Sequence, residues 1–65
     1  MYKYYGPTHT YRFEVRGFGP AFFTDDMMEA IEEALFRSKY TFRTILLIDV
    51  DTDTIYTYRD GRQIL

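Results

Sequence analysis

The chain of 65 residues contains no cysteine, no tryptophan and a single histidine, His9. Without cysteine there are no disulfides and no thiolate metal ligands, which are common staples of domains this small. One histidine cannot complete a zinc site either. The longest apolar run is residues 45–48, far short of the about 20 residues that span a bilayer. We therefore expect no cofactor and no membrane segment, and stability must come from packing or from a partner.

Charge of neither sign dominates, because ten acidic residues stand against eight basic ones and give a formal net charge of −2. This balance excludes a general basic coat for phosphate backbones. Charged side chains also interrupt the first twenty residues, so no apolar secretion signal is predicted there. Together with the missing cysteines, this favours a cytoplasmic protein.

Apolar and aromatic residues are plentiful by contrast. Hydrophobic residues make up 46% of the chain and aromatic residues 20%, with seven tyrosines and six phenylalanines. Such a composition is incompatible with a disordered tail. The length allows a single hydrophobic core. We predict one domain over residues 1–65.

The first half of the chain shows a strand pattern before a helix. Residues 10–18 alternate, with Tyr11, Phe13 and Val15 on one side, which is typical of a half-buried strand. Residues 2–5 are rich in tyrosine and favour a further short strand. Residues 19–24 contain glycine and proline and are predicted to form a loop.

An amphipathic helix follows, because Asp26 and Glu29 have the spacing of an N-terminal capping pair. At 100° per residue, one stripe contains Met27, Met28, Ile31, Ala34, Leu35 and Ser38. Phe36 lies outside this stripe, on the same side as acidic residues. A large apolar residue has no role there in a two-layer domain, so we expect Phe36 to contact another molecule.

The second half of the chain predicts a hairpin. Residues 42–51 are apolar on both faces, as in a central strand, and residues 51–54 form an acidic turn before a strand at 55–59. Residues 62–65 add a last strand or dock an apolar end. The register is open, since Val50 can pair with Ile55 or with Tyr56. The predicted fold is α+β, in the order (β)βαββ, with one helix on a three- or four-stranded sheet that is antiparallel or mixed.

The acidic residues at the end of the first hairpin strand resemble two known motifs. An apolar strand followed by Asp49 and Asp51 resembles the motif of haloacid-dehalogenase-like phosphotransferases, which implies a nucleophile and an acid near magnesium. Asp53 stands where that family has threonine or valine. With Asp60, the same acids resemble a calcium loop, but Thr54 replaces its glycine. A hairpin turn is the better interpretation, and we expect no enzyme activity.

One helix covers one face of a sheet, whereas the strand at 42–51 has two apolar faces. A second copy in a homodimer, or another protein, is expected to cover the other face. We therefore predict a protein-interaction module that acts as a regulator, adaptor or inhibitor, a role in which small phage-encoded and host proteins of similar composition occur. The predicted contact residues are Tyr56, Tyr58, Arg43, Arg59, Phe36, Glu29, Glu32 and Glu33.

Two other functions are compatible with the sequence. Tyr56 and Tyr58, interleaved with Arg43 and Arg59, predict a sheet face on which single-stranded nucleic acid could stack. The acidic residues of the helix could instead imitate a short run of phosphates. These acids are Asp25, Asp26, Glu29, Glu32 and Glu33.

Overall fold

The structure, a computed structural model that describes residues 11–64, packs a helix on an antiparallel sheet and confirms the predicted α+β class. The elements are β1 (Phe13–Arg16), β2 (Phe22–Thr24), α1 (Met27–Thr41), β3 (Ile45–Asp49), β4 (Thr54–Arg59) and β5 (Arg62–Gln63). The sheet order is β2-β1-β3-β4-β5. Within residues 11–64, no helix is long and apolar enough to cross a membrane.

The sheet has more strands than predicted. Residues 22–24, expected in a loop, form β2 and pair with β1, with Val15 opposite Phe22 and Phe13 opposite Thr24. Three residues are too few to show an alternation, and the neighbouring β1 edge stabilises the segment instead. Of the two alternatives left open for the tail, a last strand or a docked apolar end, the structure has the strand, β5. The strand predicted at residues 2–5 lies outside the described residues.

The helix begins where the capping pattern predicts. The Asp26 carboxylate accepts a hydrogen bond from the Met28 amide at 3.0 Å, and an acidic N-terminus is favourable to the helix dipole. The Thr24 hydroxyl accepts from the Asp26 amide at 3.0 Å and donates to Glu29. The side chains of Thr24, Asp26 and Glu29 therefore fix the residue at which the helix begins.

The buried stripe of α1 is made of small residues. Ala30, Ala34 and Ser38 are fully buried, whereas Met27 and Met28, which were predicted to belong to the stripe, are 46% and 62% exposed. The methionines occupy the first turn, directly after the N-cap residue Asp26. Ala30 was missed because alanine carries a weak hydrophobic signal. Small side chains let the helix axis approach the sheet closely.

The core lies between α1 and the sheet face that carries alternate residues of β1, β3 and β4. The buried residues of this cluster are Phe13, Val15, Ala30, Ala34, Ile45, Leu47 and Tyr58. Phe22, Ile31, Leu35 and Tyr56 pack around them. The predicted alternation of β1 is therefore confirmed for Phe13 and Val15.

The β3–β4 hairpin has a register that neither of the two considered pairings anticipated. Ile48 pairs with Ile55 and Asp49 with Thr54, so Val50 lies beyond the ladder, in the turn. The Asp49 carboxylate accepts from the Asp51 amide at 3.1 Å, which closes the chain one residue earlier than expected. This pairing places Tyr56 and Tyr58 on the face toward the helix.

The β4–β5 turn is tied to the helix by one buried hydroxyl. Asp60 and Gly61 both have positive φ angles, 56° and 79°, as in a two-residue hairpin turn. The Gly61 amide donates to the Ser38 hydroxyl at 3.0 Å, and that hydroxyl donates to the Leu35 carbonyl. Ser38 thus connects the helix to the edge of the sheet.

We expect Ser38→Ala to lower the free energy of unfolding by about 1–2 kcal/mol, because the Gly61 amide loses its buried acceptor. Urea denaturation measures the change. Met28→Ala, at an exposed position of the same helix, is the control and is expected to change stability by less than about 0.5 kcal/mol. A Ser38→Ala variant as stable as the control would contradict the assigned role.

Candidate interaction surface

The predicted tyrosine face is not formed at the surface. Tyr58 is 4% exposed, and Tyr56 is half-buried against the same core. Burial raises the pKa of the Tyr58 hydroxyl above its ordinary value. Because Tyr56 and Tyr58 lie opposite Leu47 and Ile45, they share the face that the helix covers. The expectation of an exposed sheet face that carries both tyrosines is therefore wrong.

Phe36 lies where the helical wheel placed it, on the outer side of α1, and is 61% exposed. Its ring contacts that of Tyr40, with centroids 4.9 Å apart, and Tyr40 is also 61% exposed. The Lys39 ammonium lies 5.4 Å from the Tyr40 ring centroid. The outer face of the helix therefore carries an exposed aromatic pair beside a cation.

The three predicted glutamates do not act as one acidic face. Glu29 accepts a hydrogen bond from Thr24 at 2.5 Å. Glu33 forms an ion pair with Arg37 at 2.7 Å. Glu32 is exposed on the outer side of the helix. The row of charge that the sequence suggested is thus interrupted by local partners.

Basic residues collect at one end of the molecule because of the antiparallel topology. β1 and β4 end there, β3 and β5 begin there, and α1 ends there. Contacts fix this arrangement: Arg37 donates to the Gly17 carbonyl at 3.0 Å, and Gly17 packs so tightly against β3 that an added Cβ would lie 2.8 Å from Ile45 Cδ1. The basic residues at this end are Arg16, Arg37, Lys39, Arg43, Arg59 and Arg62.

Four exposed aromatic side chains lie at or near this end. Phe18 is 60% exposed, Phe36 and Tyr40 are each 61% exposed, and Phe42 is 76% exposed. We call these four residues, with the six bases, the basic–aromatic end. Of the residues predicted from sequence, it unites Phe36, Arg43 and Arg59. Sequence reasoning missed Phe18, Tyr40 and Phe42, although the glycines on both sides of Phe18 signal an unusual backbone.

Two of these aromatic residues have a strained backbone. Phe18 has a φ angle of 52°, and Phe42, which ends α1, has a φ angle of 59°. A left-handed conformation is unfavourable for a residue with a bulky side chain, and glycine or asparagine usually occupies the position after a helix. Neither side chain gains compensating burial, since both are exposed. Such strain is concentrated at functional sites in proteins.

Acidic residues collect at the opposite end. The helix begins there, and the turn between β3 and β4 lies there. The acids are Asp25, Asp26, Glu29, Asp49, Asp51 and Asp53. Exposed apolar residues accompany them: Met27, Met28, Ile55, and the stacked rings of Tyr11 and Phe23, whose centroids are 5.8 Å apart. We call this set the acidic end.

Arg12 organises the acidic end. Its guanidinium donates to both oxygens of Asp49 at 3.1 Å and approaches Asp51 at 3.7 Å. The Arg12 amide also donates to Asp25. The hydrogen bond from Arg12 holds the pKa of Asp49 below its ordinary value, against the opposing effect of burial. Both Asp49 oxygens are thus engaged by a cation of the protein itself.

This geometry bears on the two motifs that the acidic residues at the end of β3 resemble. Asp49 ends β3 and Asp51 lies in the hairpin turn, as the better interpretation had it, and Arg12 donates to the Asp49 carboxylate. Within residues 11–64, no group of three or more acidic, histidine or cysteine side chains is arranged to hold a metal ion. The calcium-loop and phosphotransferase resemblances therefore gain no structural support.

The sheet face away from the helix is apolar, as the two-faced strand predicts. Ile48 is buried on it, Leu46 is half-buried, and Ile55 is 56% exposed. Glu14 is also buried there; one of its oxygens accepts from Arg16 at 3.0 Å, and the other, Oε1, has no hydrogen-bond partner. This face combines apolar side chains with a single incompletely paired carboxylate.

Comparison with known proteins assigns this chain to no family. The chain matches no protein-family model, and neither the curated proteins nor the solved structures contain a significant match. The candidate surface must be judged on its own residues.

We expect Phe42→Asn to raise the free energy of unfolding by about 0.5–1 kcal/mol, since asparagine tolerates the left-handed backbone and the exposed ring contributes little burial. Phe36→Asn is the matched control, because the same change at another exposed position, with helical backbone, is expected to cost about 0.5 kcal/mol. Thermal or urea unfolding of both variants measures these changes in the free energy of unfolding. Destabilisation of similar size in the two would show that the φ angle of Phe42 carries no strain.

We expect acid to weaken the fold through Asp49. Its folded pKa is lowered, so its contribution is complete above the unfolded value of about 4 and is lost as the pH falls toward the folded value. In Arg12→Gln the pKa of Asp49 should rise toward its unfolded value, so the part of the acid-dependent loss of stability that Asp49 causes should become smaller. NMR titration of the carboxylates with urea unfolding tests this, with Arg59→Gln as control. An unchanged Asp49 titration in Arg12→Gln would contradict the assignment.

Proposed function

We propose that this chain is a non-enzymatic protein-interaction module, a small regulator, adaptor or inhibitor of a larger macromolecule, and that the basic–aromatic end is its contact surface. The observation that carries the proposal is the pair Phe18 and Phe42. Both side chains are exposed, both have a positive φ angle, and both lie at the end where the bases collect. A fold that stands alone gains nothing from either.

Exposed aromatic rings are costly in water and favourable in an interface. Phe36 and Tyr40 add a contacting ring pair to the same region, so the surface offers several large apolar side chains with few rotatable bonds. Aromatic residues and arginine are enriched at the centres of protein interfaces and supply most of their binding energy. These are the residue types of the basic–aromatic end.

The charge of this end selects the partner. Among residues 11–64, six bases stand there against Asp60, Glu33 and Glu14, and two of these bases are paired internally, Arg37 with Glu33 and Arg16 with Glu14. Such a surface attracts an acidic target and speeds its encounter. We therefore propose a partner protein with acidic residues around apolar pockets. The acidic side of the helix is not proposed to select the partner, because Glu29 and Glu33 are engaged by Thr24 and Arg37.

Single-stranded nucleic acid is the other candidate that suits arginine next to exposed rings. The tyrosines on which that hypothesis depended are packed against the helix, with Tyr58 4% exposed. The overall charge of −2 is unfavourable as well. The imitation of phosphates by the helix is weakened in turn, because Glu29 and Glu33 are engaged locally. A protein partner is thus the better supported proposal. We propose that the protein acts in the cytoplasm, because a chain without cysteine does not depend on disulfides, which a reducing environment would break.

The test compares capture by three immobilised proteins: the wild type, Phe18→Asn/Phe42→Asn, and the control Ile64→Asn. Ile64 is 45% exposed and does not belong to the residues that define either end. We expect a defined protein to be retained by the wild type and the control and lost with the double variant, which should be at least as stable as the wild type.

Nuclease treatment and added salt separate the alternatives. A protein contact built on aromatic rings should survive nuclease and lose little affinity with salt. Capture that disappears with nuclease, or falls steeply with salt, would favour nucleic acid instead. Equal capture by the double variant and the control would refute the basic–aromatic end as the contact surface.

A further inference from the structure

We infer that the exposed aromatic surface of the basic–aromatic end also receives a second copy of this chain, which docks through its acidic end, so that copies associate head to tail. The inference rests on the contact surface proposed above but names a different occupant. The inference follows because each molecule has two ends that are opposite in charge and that both expose apolar side chains.

The two ends match in apolar character. The acidic end exposes Met27 at 46%, Met28 at 62% and Ile55 at 56%, beside the stacked rings of Tyr11 and Phe23. Methionine is unbranched and adapts its shape to a neighbouring ring, and its sulfur makes favourable contacts with aromatic groups. The phenylalanines of the other end are suitable partners for such a surface.

The two ends are opposite in charge. Among residues 11–64, six acids with Arg12 stand at one end, and six bases with Asp60, Glu33 and Glu14 stand at the other. A helix of 15 residues runs between them and separates them by about 22 Å. Contact between unlike ends brings opposite charges together, whereas a two-fold contact between like ends opposes charges of the same sign. Charge therefore favours a head-to-tail contact over a two-fold contact made by either end.

Such an interface has a recognisable consequence. A head-to-tail contact leaves one unused end on each terminal copy, so assembly continues into chains or closes into a ring. The two-fold homodimer expected from the apolar sheet face would instead stop at two copies. The two arrangements differ in stoichiometry and in the residues that disrupt them.

Two variants with complementary defects test the inference. Phe18→Asn/Phe42→Asn disables the basic–aromatic end, and Met28→Gln/Asp51→Lys disables the acidic end. Met28 and Asp51 are exposed, and neither caps the helix nor pairs in the sheet. Light scattering gives the mass of each protein, and of an equimolar mixture, across a dilution series.

For the wild type we expect a mass that rises with concentration beyond twice 7.9 kDa and that falls only slightly when salt is added, because apolar side chains make most of the contact. Each variant alone should stay monomeric. The mixture should form a one-to-one dimer and nothing larger, because each variant retains the end that the other lacks. This rescue by mixing is specific to a head-to-tail contact.

Three results would overturn the inference: a wild type that is monomeric up to about 1 mM, a dimer that persists in both variants, or a mixture that does not associate. A persistent dimer would assign self-association to the sheet face. If the assembly fails while capture of a partner protein still depends on Phe18 and Phe42, the proposed function stands without it. If both fail, the basic–aromatic end is not a contact surface.

Discussion

The close approach of the helix to the sheet is the constraint on which the rest of the structure depends. Ala30, Ala34 and Ser38 have no exposed surface, and small side chains at these positions leave the large ones to the sheet. The core is consequently thin, with Phe13, Leu47 and Tyr58 filling the space below the helix. A helix held this closely has no room for Phe36 or Tyr40 beneath it, so both lie on its outer side. The same packing that stabilises the domain therefore produces its exposed aromatic pair.

The segregation of charge has two physical origins. Within the helix, acids in the first turn and bases in the last turns are favourable to the dipole, and this explains Asp26, Glu29 and Lys39. It does not explain Asp51 and Asp53, nor the bases of the β4–β5 turn. Arg59 and Arg62 lie directly opposite each other in neighbouring strands, an arrangement of like charges that costs stability. Helix stability alone does not account for the polarity of the molecule, whereas the contact surface proposed at each end would.

Sequence reasoning reached the helix, the β1 alternation and the hairpin because each carries a local signal: a capping pair, a period of two, and a turn rich in aspartate. It failed at β2, because three residues have no period, and at the register, because Asp49 closes the turn through the Asp51 amide. The burial of Tyr58 lay outside sequence reasoning for another reason: the sequence left open which face the tyrosines take, and Tyr58 falls opposite Ile45, on the face that the helix covers. Sequence reasoning also missed Phe42, since a left-handed φ angle at a phenylalanine leaves no trace in composition or spacing.

The residues with positive φ angles form two groups, one that folding explains and one that it does not. Apart from glycines, four described residues adopt this conformation: Phe18, Phe42, Asp53 and Asp60. Aspartate tolerates it because its short polar side chain can bond to the local backbone, and both aspartates occupy hairpin turns that require it. The phenylalanines have neither property, and neither is buried. Two independent departures from the rule, at the same end of the molecule and both with an exposed ring, are difficult to ascribe to folding. A contact that buries the rings restores what the backbone loses, and it explains why phenylalanine stands where asparagine or glycine would make the isolated domain more stable.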